Sequence, residues 1–462
     1  MKKTFSTKKF LRFVLTAALA CAVFVAEATA KEGHALVDEV FTLILDNYVD
    51  ELPPSTLADG ALSGVEEELK AVGKYYKPMP TLSSDKGLSS ADRNKALEAI
   101  DAVFEGISLG EKAGLEEAAL RGMFKKLDQH SLYLDTAAYK DIQAETRGEF
   151  VGIGLQLALK HGELSVISAI EDTPAYRAGL KAGDKLITID GVSSKSMSVA
   201  DAIKHIRGIK GTVVTLDARR SGVDRTLEFK ITREQIKIKS VKSRPLEGGI
   251  GYLRVSQFQE NTAEEVSAAL VKLGSRDNKL NGLILDLRNN PGGLLLSAVD
   301  VADEFIDAGT IVYLKGRTVD ANARFESKST RPRPYYPIAV LVNEGSASAA
   351  EVVAGALQDL NRGVLIGNGT FGKGTVQTLF PLKNNNGARL TTARYHFSSG
   401  RAVSGGLTPD AKVEEKEGVD RPLEIARRAL ENALGDKSAR PIDVLKKAAE
   451  LLSLNPAPDL KH

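Results

Sequence analysis

The stretch IAVLVNEGSASAAEVVAGALQDL, residues 338–360, passes from five apolar residues through a short turn into a helical pattern. Its apolar run predicts a strand that is covered on both faces, and 349–360 predicts the helix that crosses over to the next strand. Two further apolar runs, 282–287 and 364–366, predict neighbouring strands of the same sheet. Residues 248–415 therefore alternate strands with helices and predict an α/β core.

The turn inside this stretch contains Ser348, which comes directly before the predicted helix. A helix N-terminus offers free backbone N–H groups and the positive end of the helix dipole, and both suit an oxyanion. A serine held there could act as the nucleophile in amide hydrolysis. Serine is also a preferred N-cap, and taken alone the position favours that structural role.

A second segment, TFGKGTVQ at residues 370–377, places Lys373 between two glycines at the start of a predicted strand. A lysine that is desolvated there loses much of its preference for the charged form, so the neutral amine could take the proton of a serine. Gln377 lies four residues further on, which on a strand predicts the same face at a distance of about 13 Å. Both side chains reach one site only if they converge. A surface lysine in a loop is the structural alternative.

Other catalytic chemistries find little support in the sequence. Residues 367–374 resemble the nucleotide-binding pattern G-x-x-x-x-G-K, but Gly374 stands where Ser or Thr is required and a strand pattern follows, so no nucleotide is expected. No motif pairs any of the six histidines with Ser348, and no HExxH pattern is present, so neither a metal nor another cofactor is expected. Cys21 is the only cysteine, which excludes a thiolate catalyst downstream of it.

The N-terminus carries the features of an export signal. Five basic residues precede a 14-residue apolar run at 13–26, which ends at the small-residue site ATA at 28–30. The run is short for a bilayer span, so cleavage after Ala30 and a location in the periplasm or on the outer face of the cell membrane are expected. An uncleaved membrane anchor and lipidation at Cys21 are the alternatives. Removal of residues 1–30 would turn the formal charge of +2 into −2, which gives no reason to expect a nucleic-acid partner.

The rest of the chain divides into four segments by pattern. Residues 31–145 carry helical periodicity and predict a helical N-terminal region, which could be a scaffold, a dimerisation arm or a lid. Residues 146–235 alternate short strands with glycine turns and predict a β-rich domain of about 90 residues. Residues 236–415 contain the predicted α/β core, and 416–462 predict C-terminal helices followed by a tail. A multidomain α+β fold follows from this order.

Three motifs occur in an order that resembles the bacterial and chloroplast carboxy-terminal processing proteases. They are GEFVGIG at 148–154, LDLRNNPGG at 285–293, and the segment from Ser348 to Gln377. The resemblance extends over residues 36–413. It implies that the β-rich domain is a PDZ domain, that the α/β core is a protease core with a crotonase/ClpP-like fold, and that the chain is a serine endopeptidase.

The resemblance assigns the catalytic roles to single residues. It implies that Ser348 is the nucleophile, Lys373 the general base and Gln377 the residue that positions the lysine. Relatives often have a serine where this chain has Ala350, which leaves Ser346 and Ser348 as candidate nucleophiles. The separation of 25 residues between Ser348 and Lys373 resembles the family's spacing and favours Ser348.

The resemblance also implies how the oxyanion and the substrate are bound. The Asn-Pro-Gly-Gly turn would supply a backbone amide of Gly292 or Gly293 beside that of Ala349. The PDZ domain would add an extended peptide as a further strand. It would hold the free carboxylate on the backbone of four consecutive residues: Gly152, Ile153, Gly154 and Leu155. Arg207, at the end of the PDZ helix near 198–206, would transmit the occupancy of this groove to the active site.

These assignments predict an extracytoplasmic endopeptidase that forms an acyl-enzyme and acts on proteins with accessible, apolar C-termini. A homodimer and an activating adaptor protein remain open as partners. The competing hypothesis is a PDZ adaptor on an inactive protease-like core, which would bind peptides without turnover. The presence of both Ser348 and Lys373 argues against this alternative, because an inactive core has no need for a lysine buried near a serine.

Overall fold

The computed structural model describes residues 35–454, except for 75–80, 83–86, 106–111, 161, 171, 238, 275–279, 329–334, 416–417 and 437. The predicted export signal, Cys21 and the end of the predicted tail lie outside the described residues. Within these ranges, no helix has both the length and the apolar composition needed to cross a membrane. In the same part of the chain, no group of three or more His, Cys, Asp or Glu side chains could hold a metal ion.

The fold combines helices and strands, which are numbered in chain order. The helices are α1 (Ala35–Asn47), α2 (Pro54–Ala71), α3 (Ser90–Glu105), α4 (Lys112–Phe124), α5 (Thr136–Thr146), α6 (Pro174–Arg177), α7 (Val199–Ile206), α8 (Thr262–Lys272), α9 (Leu295–Asp303), α10 (Ala349–Asp359), α11 (Arg421–Gly435) and α12 (Pro441–Leu454). The strands are β1 (Leu132–Leu134), β2 (Glu149–Gly152), β3 (Leu155–Lys160), β4 (Glu163–Ala169), β5 (Lys185–Ile189), β6 (Val192–Ser193), β7 (Val213–Arg219), β8 (Leu227–Thr232), β9 (Glu234–Lys237), β10 (Val241–Pro245), β11 (Ile250–Val255), β12 (Gly282–Asp286), β13 (Thr310–Gly316), β14 (Ala323–Glu326), β15 (Ile338–Val342), β16 (Val364–Gly367), β17 (Thr375–Pro381), β18 (Gly387–His396) and β19 (Ala411–Lys412).

One compact unit comprises the described residues up to 139 together with 312–325 and 373–404. Its helices α1 to α4 enclose a hydrophobic cluster, because each presents apolar residues at helical spacing on one face. Val37, Phe41 and Val65 are fully buried there. The long strand β18 pairs with β1, β13 and β17 in the sheet of this unit. The helical expectation for this region is confirmed, whereas the short strand β1 was not predicted.

The other unit comprises the described residues of 140–311, 326–372 and 405–462. Its β-rich part forms an antiparallel sheet in the order β3-β4-β5-β7-β8, with β6 beside β5. β2 pairs separately with β9. β3 is an edge strand of the sheet, and α7 contacts it. An edge strand beside a helix is open to pairing with a further strand.

The α/β core of this second unit contains a sheet in the order β10-β11-β12-β15-β16-β19. β10 pairs antiparallel with β11, and the strands from β11 to β19 pair in parallel. Every residue of β12, β15 and β16 is buried, as expected for parallel strands covered on both faces. The predicted α/β core is therefore confirmed.

Two loops leave the same edge of this sheet. β12 and β15 are parallel neighbours, so their carboxyl ends lie side by side. Residues 287–294 follow β12, and 343–348 join β15 to α10. The carboxyl edge of a parallel sheet is the usual place for a binding or catalytic site. The predicted boundaries at 145, 235 and 415 stay predictions, since both units are assembled from discontinuous segments.

Candidate active site

Ser348 occupies a strained turn between β15 and α10. Its backbone torsions are φ 54° and ψ −117°, outside the regions that a residue with a Cβ favours. Such a conformation costs of order 1–3 kcal/mol and persists only where the surroundings enforce it. Sharp strand-to-helix turns present the nucleophilic serine in α/β-hydrolases. The strain therefore lies at the residue that the sequence favours as nucleophile.

Backbone and side-chain hydrogen bonds enforce this turn. The N–H of Ala347 donates to the carbonyl oxygen of Asn290 over 2.9 Å, which joins the two loops at the carboxyl edge of the sheet. The N–H of Ser348 itself donates to Oε2 of Glu351 over 2.8 Å. Ser348 is the residue before the first turn of α10, so this carboxylate satisfies a backbone donor that the helix leaves open.

Glu351 links the serine turn to the segment that precedes Lys373. Its side chain is fully buried, and its Oε1 accepts from the hydroxyl of Thr370 over 2.5 Å and from the N–H of Gly372 over 2.8 Å. One carboxylate thus holds the backbone of Ser348 and the two residues on the approach to the lysine. This role was not predicted from the sequence. The Ser-x-x-Glu spacing of a capping box was the signal that could have found it.

Replacing Glu351 by glutamine is expected to lower kcat/KM for peptide cleavage by about 10- to 100-fold, and the free energy of unfolding by about 1–3 kcal/mol. The amide keeps one acceptor oxygen, but its NH₂ group then faces a backbone or hydroxyl donor that has lost its acceptor. Steady-state kinetics and urea denaturation measure the two effects. Glu344→Gln is the matched control, because Glu344 is exposed on the same turn. Wild-type kinetics in Glu351→Gln would contradict the assignment.

Ser346, the other candidate nucleophile, has a structural environment. Its side chain is fully buried. Its hydroxyl donates to the carbonyl oxygen of Leu287 over 2.8 Å and accepts from the N–H of Asn343 over 3.0 Å. The hydroxyl therefore joins the loop after β12 to the loop after β15. This environment favours Ser348, which is 7% exposed, as the reactive serine.

The Asn-Pro-Gly-Gly turn lies directly against the serine. A Cβ placed on Gly292 would lie 2.9 Å from the Cβ of Ser348 and 3.1 Å from the backbone nitrogen of Ala349. Gly292 and Gly293 have φ values of 106° and 132°, which a side chain would disfavour. Both the close approach and the backbone conformation therefore require glycine. The structure brings the predicted oxyanion residues Gly292, Gly293 and Ala349 together with Ser348.

The backbone N–H groups near Ser348 differ in whether they already donate to an acceptor in the protein. The N–H of Gly292 donates to Oδ1 of Asn290 over 2.9 Å. Gly293 pairs with Phe258 in an isolated β-bridge. In this bridge the N–H of Phe258 donates to the carbonyl oxygen of Gly292, and the N–H of Leu294 donates to the carbonyl oxygen of Phe258. The N–H of Gly293 takes no part in the bridge. Ala349 is the first residue of α10, so its N–H has no acceptor within the helix. Of the predicted donors, the N–H groups of Gly293 and Ala349 are thus favoured over that of Gly292.

A buried ionic network supports the loop that carries this turn. Arg288 donates from Nε and Nη2 to the fully buried carboxylate of Asp286 over 3.0 and 2.7 Å, and from Nη1 to Asp420 over 2.7 Å. The hydroxyl of Tyr252 also donates to Asp286 over 2.7 Å. Burial opposes ionisation of Asp286, but the hydrogen bonds and charge of Arg288 outweigh it and hold the pKa of the carboxyl below its ordinary value. The network ties the loop to the N-cap of α11.

Lys373 and Gln377 belong to the other compact unit, and the expectation that they share one face of a strand is wrong. β17 begins at Thr375, so Lys373 precedes the strand. The pairing of β17 with β18 shifts register between Val376 and Gln377, and such a bulge interrupts the alternation of side chains. Ser348 lies in one unit and Lys373 in the other, and their pairing as a dyad stays a prediction.

His130 lies in the same unit as Lys373, and no role was predicted for it from the sequence. It is half-buried, its backbone N–H donates to Oδ1 of Asp128 over 2.7 Å, and its backbone carbonyl oxygen accepts from Nε of Arg389 over 3.2 Å. Burial lowers the pKa of its imidazole, the positive charges of Lys373 and Arg389 lower it further, and Asp128 opposes them. After burial, the charge of Lys373 is the largest cause of the lowered pKa of His130.

The residues predicted to bind the substrate carboxylate run from the end of β2 to the first residue of the edge strand β3. Gly152 ends β2, and the side chain of Ile153 is fully buried, so it can offer a ligand only its backbone. Gly154 has a φ of 82°, and a Cβ there would lie 2.3 Å from the hydroxyl oxygen of Thr173. Leu155 opens β3. The four residues thus form one continuous loop from β2 into the edge strand that α7 contacts.

Arg207 caps the C-terminal end of α7 and is exposed. Its guanidinium carbon lies 5.4 Å from the centre of the Phe150 ring, within the range of a cation–π contact. Phe150 belongs to β2, the strand that leads into the loop at Gly152. The arginine therefore contacts the element that precedes the predicted carboxylate site, and its role in transmitting occupancy stays a prediction.

Known proteins show similarity to this chain over the β-rich part and over the segment that contains the α/β core. Residues 249–413 match Peptidase family S41, and residues 141–219 match the PDZ domain. The carboxy-terminal-processing protease of Bartonella bacilliformis is 43% identical over 337 residues, which cover 72% of this chain and 76% of that protein. The carboxy-terminal processing protease CtpA of Bacillus subtilis is 37% identical over 339 residues, which cover 72% of this chain and 71% of that protein. Among solved structures, the photosystem II D1 C-terminal processing protease is similar over 89% of this chain and 99% of that one, with a TM-score of 0.46 and 25% sequence identity.

Proposed function

The chain belongs to the carboxy-terminal processing proteases, serine peptidases of family S41 that carry a PDZ domain, and we propose that it cleaves proteins with Ser348 as nucleophile and Lys373 as general base. The observation that carries the choice of Ser348 is its strained backbone at the N-terminus of α10, with Gly292 packed against it. The buried and doubly bonded hydroxyl of Ser346 supports the same choice.

The reaction proceeds through an acyl-enzyme. The neutral amine of Lys373 takes the proton of the Ser348 hydroxyl, and Oγ attacks the scissile carbonyl carbon. The N–H groups of Gly293 and Ala349 stabilise the oxyanion. The protonated lysine then gives its proton to the leaving amine as the C–N bond breaks. Water, activated by the same amine, attacks the ester carbonyl and releases the acid, which restores the serine.

The PDZ domain selects the substrate by its free C-terminus. An extended peptide pairs with the edge strand β3 beside α7, and its carboxylate binds the backbone of the loop from Gly152 to Leu155. Arg207 transmits this occupancy, supported by its contact with Phe150 in the strand before the loop. The apolar side chain of Ile203 is 38% exposed on α7 and favours substrates with apolar last residues.

The proposed site of action is outside the cytoplasm, in the periplasm or on the outer face of the cell membrane. The support is the pattern of residues 1–30, with basic residues, a 14-residue apolar run and a small-residue cleavage site. A homodimer and an activating adaptor protein stay predictions of the family resemblance.

Cleavage of matched peptides tests the proposed C-terminal selection. An unfolded peptide with an apolar free C-terminus is expected to be cleaved at least about tenfold more efficiently than the same peptide with a C-terminal amide, mainly through KM, because the amide removes the charge that the loop binds. Mass spectrometry identifies the products, and a third peptide ending in aspartate controls for the last side chain.

Two results would contradict the proposal in different ways. Equal cleavage of the free and amidated peptides would exclude recognition through the C-terminal carboxylate. Binding of the free peptide without cleavage by the full chain would favour the PDZ adaptor on an inactive core.

A further inference from the structure

A buried amide joins the loop that carries Ser348 to the loop that carries the oxyanion turn. It belongs to Asn343, which follows β15 and is 5% exposed. Its Oδ1 accepts from the N–H of Asn289 over 2.9 Å and from that of Gly345 over 3.1 Å. Its Nδ2 donates to Oδ1 of Asn289 over 3.1 Å and to Oε1 of Glu415 over 3.0 Å. Both amide hydrogens and the amide oxygen therefore have partners, all within one compact unit.

The groups around Asn343 fix which end of its amide is the donor. A backbone N–H can only donate, so the atom that meets the N–H groups of Asn289 and Gly345 must be the oxygen. An ionised carboxylate can only accept, so the atom that meets Glu415 must be the nitrogen. A flipped amide would place its NH₂ group against two N–H groups and its oxygen against a carboxylate. The partners of Asn343 thus allow one orientation of its side chain.

Glu415 comes from a third segment at the same edge of the sheet. β19 pairs in parallel with β16, which pairs in parallel with β15, so the chain leaves all three strands at the carboxyl edge. The N–H of Val413 donates to the carbonyl oxygen of Gly367 over 2.9 Å, which continues this pairing beyond the end of β19. Glu415 lies two residues further on and is exposed. Segments that follow β12, β15 and β19 therefore meet at the Asn343 amide.

The joined residues lie close in sequence to the reacting groups. Asn343 precedes Ser348 by five residues, and Asn289 precedes Gly293 by four. The loops also touch here, since a methyl group on Gly345 would lie 2.6 Å from Oδ1 and 2.9 Å from Cα of Asn289. Asn289 has a φ of 56°, a left-handed conformation that few residues with a side chain adopt. The Asn343 amide thus holds the first residues of the oxyanion loop against the first residues of the serine loop.

We propose that Asn343 and Glu415 are positioning residues that keep the N–H of Gly293 in place relative to Ser348 and Ala349. This inference rests on the proposed function, in which the N–H groups of Gly293 and Ala349 stabilise the oxyanion. These two donors belong to different loops and must reach one oxygen atom. A shift of one loop against the other lengthens one of the two hydrogen bonds, and donors of this kind act only when they are held in place beforehand.

Reversal of the donor and the acceptor tests the contact between Asn343 and Glu415. Asn343→Asp keeps the size of the side chain and the acceptor for the two N–H groups, but it places a second carboxylate against Glu415. We expect kcat to fall by about tenfold or more, with KM changed by less than about twofold, because the contact lies away from the substrate. Glu415→Gln keeps an acceptor oxygen for Asn343, so a loss of less than about threefold is expected.

The double variant Asn343→Asp, Glu415→Gln separates positioning from a general loss of stability. The glutamine amide can donate to the new aspartate, and the exposed Asn289 amide can turn to do the same. We therefore expect kcat to recover to within about threefold of wild type, whereas two independent losses would multiply. A double variant no more active than Asn343→Asp, or Asn343→Asp with wild-type kcat, would overturn the proposal. Glu414→Gln is the matched control, because Glu414 is the adjacent exposed carboxylate, and wild-type kinetics are expected for it.

Binding of a peptide aldehyde tests the oxyanion donors without turnover. Oγ of Ser348 adds to the aldehyde carbon, and the former carbonyl oxygen takes the place of the oxyanion. The inhibition constant of the aldehyde is expected to rise in Asn343→Asp by the factor by which kcat/KM falls, because both depend on the same donors. The matching peptide alcohol forms no adduct and is expected to bind as it does to wild type. Equal weakening of both ligands would overturn the proposal. Failure of the proposed function is distinguishable, because wild type and Ser348→Ala would then cleave the peptide equally.

Discussion

Replacement of Ser348 by alanine is expected to lower kcat/KM for peptide cleavage by about 10⁴-fold or more, whereas Ser346→Ala retains the chemical step. Loss of the nucleophile removes the acyl-enzyme, and serine hydrolases lose activity on this scale when the serine is removed. The backbone hydrogen bond from the N–H of residue 348 to Glu351 does not involve the serine side chain, so Ser348→Ala is expected to keep the fold. Steady-state cleavage of the same peptide, with product masses, measures both variants.

The control variant, Ser346→Ala, separates catalysis from structure. Its hydroxyl joins the carbonyl oxygen of Leu287 to the N–H of Asn343 in the core of the unit. Its loss is expected to lower the free energy of unfolding by about 1–3 kcal/mol, because a buried donor and acceptor lose their partner. A fully active Ser348→Ala together with an inactive, well-folded Ser346→Ala would reverse the assignment.

Local sequence patterns predicted the parts of the site that depend on local geometry. The apolar run of β15 and the helical period of α10 placed Ser348 in a strand-to-helix turn, and parallel pairing brought the Gly292 turn beside it. The α/β core followed from the same kind of pattern, whereas the open edge at β3 was expected only from the resemblance to the family. These features are set by periodicity and turn chemistry, which a single sequence displays directly.

The parts that escaped prediction depend on contacts between distant segments. The bulge before Gln377 arises in the pairing of β17 with β18, and a strand pattern alone does not report it. Ser131 and Thr391 are 260 residues apart, so no local pattern joins them. The motif LDLRNNPGG indicated the oxyanion turn, but the partner of Arg288 at Asp420 is 132 residues away. Side-chain partners of this kind are set by tertiary packing rather than by propensity.

Lys373→Met is expected to lower kcat by about 10³-fold, and Lys373→Arg by a similar factor, because general-base catalysis contributes on this scale and neither side chain can act as a base. The guanidinium stays protonated throughout the accessible pH range. In wild type, kcat/KM is expected to rise with pH as the amine loses its proton, and this rise should disappear in both variants. Cleavage by Lys373→Arg at the wild-type rate would exclude the lysine as base.

Lys373→Met and Lys373→Arg are expected to differ in the pKa of His130, which tests the charge of Lys373 without measuring catalysis. Burial is the largest cause of the lowered pKa of this imidazole, and the positive charge of Lys373 is the next. A neighbouring cation disfavours protonation, so Lys373→Met is expected to raise the pKa of His130, whereas Lys373→Arg keeps the charge and should leave it low. An NMR titration of the His130 ring, assigned with His130→Gln, measures both. A pKa of His130 that is the same in wild type and Lys373→Met would contradict the prediction. The lysine would then carry no charge near the histidine, either because its side chain lies elsewhere or because its amine is neutral. Lys373→Arg separates the two cases. If the amine is neutral, the charged guanidinium lowers the pKa of His130 below the wild-type value; if the side chain lies elsewhere, the pKa does not change.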